Sequence, residues 1–81
     1  MTSEQVVREI QRIIDDLMRQ KGLDPIAVAP HSRFLGEDIP IDSLDLAVLV
    51  TELEQVTQKD PFRSGFRDFH TVNELAQLYA E

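Results

Sequence analysis

Near the N-terminus, Val6, Val7, Ile10, Ile13, Ile14, Leu17 and Met18 recur at steps of three and four, separated by Arg8, Glu9, Gln11, Arg12, Asp15 and Asp16. This is the pattern of an amphipathic helix with one apolar stripe, and such a stripe has to be covered. No later segment alternates with period two as a strand would, so the cover must come from further helices. With 81 residues the chain has material for one domain, residues 1–81, and a modest core.

The remaining elements follow from punctuation and spacing. Thr2 with Gln5 three residues on has the form of a capping box, and Gly22 suits a helix stop, giving a first helix from about residue 3 to 20. Gly22, Pro25, Pro30, Gly36 and Pro40 then exclude a long helix. The same stretch carries Ile26, Val28, Phe34, Leu35, Ile39 and Ile41, which need a core, so an ordered loop is expected there. A second helix runs from about Ser43 to Gln55, with Asp42 as its N-cap, Asp45 in its first turn and Leu46, Leu49, Val50 and Leu53 turned inward. Asp60-Pro61 resembles a cap followed by a first helical proline, and Gly65 limits that helix to a short turn. Thr71 and Glu74 have capping-box spacing ahead of Val72, Leu75, Ala76 and Tyr79, with Leu78 beside this last stripe. The expected fold is all-α: three main helices, a short one, and a long ordered loop between the first two. The expected core is Val7, Ile10, Ile14, Leu17, Phe34, Leu46, Leu49, Val50, Leu53, Val72, Leu75 and Tyr79.

Composition removes several functions. A formal net charge of −7 opposes binding to nucleic acid or to anionic membrane surfaces and favours partners with basic faces. Without cysteine there is no disulfide, thiol nucleophile or thiolate ligand. His31 and His70 lie apart, outside any ligand-spaced cluster, and Glu37-Asp38 with Asp42 and Asp45 lack the spacing of a calcium loop, so no metal site is expected. No basic patch and apolar run opens the sequence as in a signal peptide, and no stretch is long enough to span a bilayer; the expectation is a cytoplasmic monomer. A Ser–His–Asp triad has no support beyond the presence of the three residue types, and a small bundle offers no deep, dry pocket. The chain is not expected to be an enzyme.

The second helix carries the informative feature. With Leu46, Leu49, Val50 and Leu53 inward, its other side presents Leu44, Val48, Thr51 and Gln55 in place of the usual Lys and Glu. Asp42, Asp45, Glu52 and Glu54 surround this strip, and apolar surface rimmed by charge is a docking signature. Ser43 lies at its head, where a helix start favours an anion although Asp42 and Asp45 oppose one. Taken alone, Asp42-Ser43-Leu44 is equally the start of an ordinary capped helix.

The chain resembles the phosphopantetheine-attachment carriers, the acyl carrier protein family. Asp42-Ser43-Leu44 matches the family's Asp-Ser-Leu signature, and "IDSLDLAVLVTELEQ" lies over its second helix. Phe34 and Leu35 fall where the family has apolar residues ahead of the signature, and Thr71-Val72 with "ELAQLYA" is similar to its last helix. The match runs collinearly over almost the whole chain. The resemblance implies an antiparallel bundle of three long helices and a short one. It implies 4′-phosphopantetheine on Ser43, transferred from coenzyme A by a separate phosphopantetheinyl transferase. The terminal thiol would hold an acyl group as a thioester, which accounts for a carrier without cysteine. Implied partners are that transferase, an acyl- or aminoacyl-loading enzyme, and downstream synthases or transferases with basic docking faces. The implied docking residues are Asp42, Leu44, Asp45, Val48, Thr51, Glu52 and Glu54.

Departures from the family pattern refine this expectation. The lead-in to the signature is Ile39-Pro40-Ile41, Val48 stands where fatty-acid carriers usually have an acid, and Phe62, Phe66 and Phe69 make the following segment unusually aromatic. These point away from housekeeping fatty-acid synthesis towards a dedicated carrier for a polyketide, a modified lipid or a loaded amino acid. The alternatives are a stand-alone aminoacyl or peptidyl carrier of non-ribosomal synthesis and an unmodified helical interaction protein.

Overall fold

The computed structural model describes residues 1–35, 38–63, 65 and 67–80. The expectations placed on Gly36, Glu37 and Phe66 lie outside the described residues. Three helices form: α1 (Ser3–Lys21), α2 (Ser43–Thr57) and α3 (Val72–Tyr79). Their starts use the chemistry expected of them. Capping boxes are closed by Thr2 with Gln5, by Asp42 with Asp45, and by Thr71 with Glu74. α1 stops at Gly22, whose φ of 73° is a left-handed conformation that glycine adopts without a Cβ clash. α2 runs two residues further than expected, to Thr57, and is capped by Gln58 with φ 59°.

α1 packs against both other helices, and the α2–α3 contact is the smallest of the three. Ile10, Ile14, Leu49, Leu53, Val72, Leu75 and Tyr79 are wholly or almost wholly removed from solvent, and Leu17 and Phe34 join them. The core also takes in Val6, Ile13, Met18, Ile39, Ile41 and Ala76. Val7, Leu46 and Val50, expected in the core, are only partly buried at its margin. Val7 flanks a stripe centred on Val6 and Ile10. Leu46 and Val50 face a surface groove that opens between α2 and the segment before α3.

The loop between α1 and α2 is held at several points. The side-chain amide of Gln11 donates to the Ile26 carbonyl at 2.9 Å and accepts from the Val28 N–H at 2.6 Å. This satisfies backbone groups that have no helix of their own. Further along, the Phe34 N–H donates to the His70 carbonyl and the Val72 N–H to the Ser32 carbonyl, forming one antiparallel bridge between Arg33 and Thr71. Phe34, Ile39 and Ile41 turn inward as expected, and Ile26 and Val28 pack at the edge. Leu35 does not. Its φ of 61° turns the chain, and its side chain is exposed.

Between α2 and α3, the Arg63 N–H donates to the Asp60 carbonyl and the Gly65 N–H to that of Phe62. The expected short helix thus takes the form, among the described residues, of two overlapping turns. Phe62 and Phe69 anchor the segment, with ring centroids 6.0 Å apart; Phe69 meets Phe34 edge-on at 5.9 Å and Phe62 meets Tyr79 at 6.3 Å. No helix among the described residues is long and apolar enough to cross a membrane.

Leu49 and Leu53 fix the rotation of α2 about its axis, and both are fully buried. Leu49→Ala or Leu53→Ala should each lower unfolding free energy by about 2–5 kcal/mol in denaturant titration. Losses under about 0.5 kcal/mol at both positions would contradict this orientation.

Candidate functional site

The start of α2 resolves the puzzle of a serine between two acids. Asp42 accepts from the Asp45 N–H at 2.9 Å, and the Asp45 carboxylate accepts from the Asp42 N–H at 3.3 Å. Both acids are therefore engaged in starting the helix. Ser43, between them, takes no part in the capping box and is exposed. A serine at a helix start ordinarily serves as its cap; here that role is filled, and the hydroxyl is left to the solvent side.

Two apolar features flank Ser43. On the outer face of α2, Leu44 is 74% exposed and Val48 42% exposed, with Thr51 beyond them. This is the strip expected from the sequence, and exposure of that order in large aliphatic side chains at one helix face marks it as unpartnered. On the other flank runs a groove of about 410 Å³ with Ser43 at one end. Leu46, Ala47 and Val50 form one wall, Phe62 and Phe69 the other. Leu46 and Phe69 also border a neighbouring cavity of about 460 Å³ with a polar rim of Arg33, His70, Thr71 and Glu74.

The acids around the strip are not equivalent. Asp42 is exposed, and Glu52 and Glu54 are partly covered. Asp45 is held by Lys21, the last residue of α1, whose Nζ lies 2.8 Å from its Oδ2. The Lys21 ammonium, followed by the Asp42 amide, holds the Asp45 carboxyl below its ordinary value of 3.8, against the opposing effect of burial. Reciprocally, the Asp45 carboxylate raises Lys21 above 10.5. At α3, Glu74 is lowered by the backbone N–H of His70 and by the Thr71 hydroxyl. Burial, reinforced by Glu54 and Asp60, pushes the Tyr79 hydroxyl upwards.

The structure thus brings together Asp42, Ser43, Leu44, Asp45, Val48 and Thr51 on one end and face of α2, with Glu52 and Glu54 further along it. The sequence reading passed over Lys21, Phe62 and Phe69 as parts of this region. A lysine in the last turn of a helix is commonplace and carries no local signal of a partner, and the partner of Lys21 lies on another helix. The phenylalanines were noticed only as a departure in composition.

No family model matches the chain. It is 40% identical over 55 residues to an acyl carrier protein of Rubrobacter xylanophilus, an alignment that takes in 68% of this chain and 63% of that protein. Its fold is similar to the solution structure of MacpD, an acyl carrier protein of Pseudomonas fluorescens involved in mupirocin biosynthesis. The TM-score is 0.83 at 34% identity, over 98% of this chain and 71% of that one.

The Lys21–Asp45 pair gives a pH dependence with a defined sign. Asp45 is lowered, so its contribution to stability is complete above the ordinary value of 3.8 and is lost as pH falls through the lower native value. Lys21 is raised, so its contribution is complete below 10.5 and is lost as pH rises through the higher native value. Denaturant titrations from about pH 6 to about pH 2 should therefore show a smaller acid loss in Lys21→Met than in the wild type. Glu74 contributes equally to both proteins. Identical losses would show that the pair adds nothing to stability.

Proposed function

Because the chain belongs to the acyl carrier protein family, we propose that Ser43 carries 4′-phosphopantetheine and that the protein presents acyl intermediates to the enzymes of a specialised biosynthetic pathway. The observation that carries this reading is the position of Ser43: exposed, released from capping by Asp42 and Asp45, and set between an apolar strip and an apolar groove. When bound, the group would supply the thiol that this cysteine-free chain lacks, the nucleophile on which an acyl chain could be carried.

The residues present fit such a group. A phosphodiester on the Ser43 hydroxyl would lie at the first turn of α2, where backbone N–H groups have no carbonyl one turn earlier and the helix dipole is positive. It would extend from an exposed side chain, so a separate phosphopantetheinyl transferase has access. Leu46, Ala47, Val50, Phe62 and Phe69 offer apolar cover to the parts of the arm or cargo that avoid water. Leu44, Val48 and Thr51 offer a docking strip for the transferase, the loading enzyme and later synthases. The acids around it favour partners whose docking faces are basic. Tethering raises the effective concentration of the cargo at each enzyme in turn, and this is the carrier's contribution to rate.

Val48 and the aromatic wall support a specialised carrier over a fatty-acid one, and the involvement of MacpD in mupirocin biosynthesis is in keeping with that. Polyketide assembly is the pathway class this reading favours, with a cytoplasmic, monomeric carrier.

Incubation with coenzyme A, Mg²⁺ and a broad-specificity transferase should add the mass of one phosphopantetheine to the wild type and none to Ser43→Ala. Modification of Ser43→Ala would refute the assignment. An unmodified wild type would instead favour a helical interaction protein, and loading of the modified protein by aminoacyl but not acyl donors would favour an aminoacyl carrier.

Val48→Glu tests the docking strip. Its exposure predicts a stability change within about 0.5 kcal/mol, while loading by the cognate enzyme should slow because the strip is desolvated on docking. A variant that unfolds would place Val48 in the core. One loaded at the wild-type rate would remove the strip from the docking face.

A further inference from the structure

Four acids surround the strip beside Ser43, but they do not present equal charge to a partner. Among the described residues, Asp45 is the one of Asp42, Asp45, Glu52 and Glu54 that stands in an ion pair. The Asp45 side chain is 14% exposed and that of Lys21 33% exposed. One Asp45 oxygen faces the ammonium at 2.8 Å and also accepts from the Asp42 N–H. The carboxylate is therefore occupied from two sides by its own chain. Lys21 is well placed to hold it, since the C-terminal end of α1 favours a cation.

We infer that Lys21 neutralises Asp45 on the docking face, so that a basic partner meets Asp42, and not Asp45, as the charged neighbour of Ser43. Lys21 acts through Asp45, as a positioning residue, and sets how strongly the serine end of α2 attracts basic surfaces. The opposed pair projects little field beyond the contact itself, whereas an unpaired Asp45 would add a second negative charge within the first turn of the helix. Docking next to Ser43 then depends less on charge and more on the Leu44–Val48 strip. This rests on the reading of Ser43 as the modified residue.

The test is steady-state modification by coenzyme A and a broad-specificity phosphopantetheinyl transferase, with carrier concentration varied. Lys21→Met should lower KM by about two- to fivefold, the scale of one charge pair at the protein surface, with kcat unchanged. Lys21→Arg, which keeps the charge, should behave as the wild type. The double variant Lys21→Met/Asp45→Asn should return KM most of the way to the wild-type value, because it removes the pair as a neutral unit and leaves only the weaker attraction between Lys21 and Asp42 unreplaced. An unchanged KM in Lys21→Met together with a raised KM in the double variant would overturn the inference and make Asp45 a direct contact. Thermal melts identify any variant that loses its fold, and Lys21→Gln then takes the place of Lys21→Met. A wild type that gains no mass would overturn the carrier reading and this inference with it, whereas normal modification with the wrong KM pattern would overturn this inference alone.

Discussion

The reciprocal hydrogen bonds between Asp42 and Asp45 are the constraint from which the rest of the site follows. A helix start leaves backbone N–H groups without partners, and a nearby polar side chain normally takes them up. In α2 two carboxylates do so, one on each side of Ser43. The cost is two negative charges close together beside the Ser43 hydroxyl. Lys21 offsets one of them from the end of α1. The serine is thereby left in place, with a fixed backbone and a side chain that the fold does not use.

The same helix divides its faces sharply. Leu49 and Leu53 bind it to the core, Leu44 and Val48 leave it open to solvent, and Leu46 and Val50 form an intermediate face along the groove. The opposite wall of that groove exists because Phe69 is held between Phe34 and Phe62, while Phe62 also reaches Tyr79. The loops are thus part of the site. The Arg33–Thr71 bridge and the Gln11 contacts to Ile26 and Val28 hold the long loop against the helices, and Phe34 with it. These contacts tie the loops to the small core beside the start of α2.

The helices were legible in the sequence because their signals are local. A cap and its partner three residues on, a glycine at the end of α1, and a stripe at steps of three and four need no knowledge of the tertiary fold. The outer strip of Leu44, Val48 and Thr51 was legible for the same reason. What escaped was set by packing between distant segments. Whether Leu46 and Val50 are core or groove depends on how closely Phe62 and Phe69 approach, and helical periodicity alone cannot distinguish the two. Leu35 was assigned inward by its hydrophobicity, but its backbone turns it out. The Lys21–Asp45 pair joins residues on two helices and has no sequence spacing to betray it.

Thermal and denaturant unfolding of Ser43→Ala beside Asp42→Ala tests most directly the claim that the acids start the helix and the serine is kept for chemistry. The account predicts that Ser43→Ala stays within about 0.5 kcal/mol of the wild type, while Asp42→Ala, which removes the cap, loses about 1 kcal/mol. A Ser43→Ala protein as destabilised as Asp42→Ala would show that the serine hydroxyl is part of the fold, and would contradict the account.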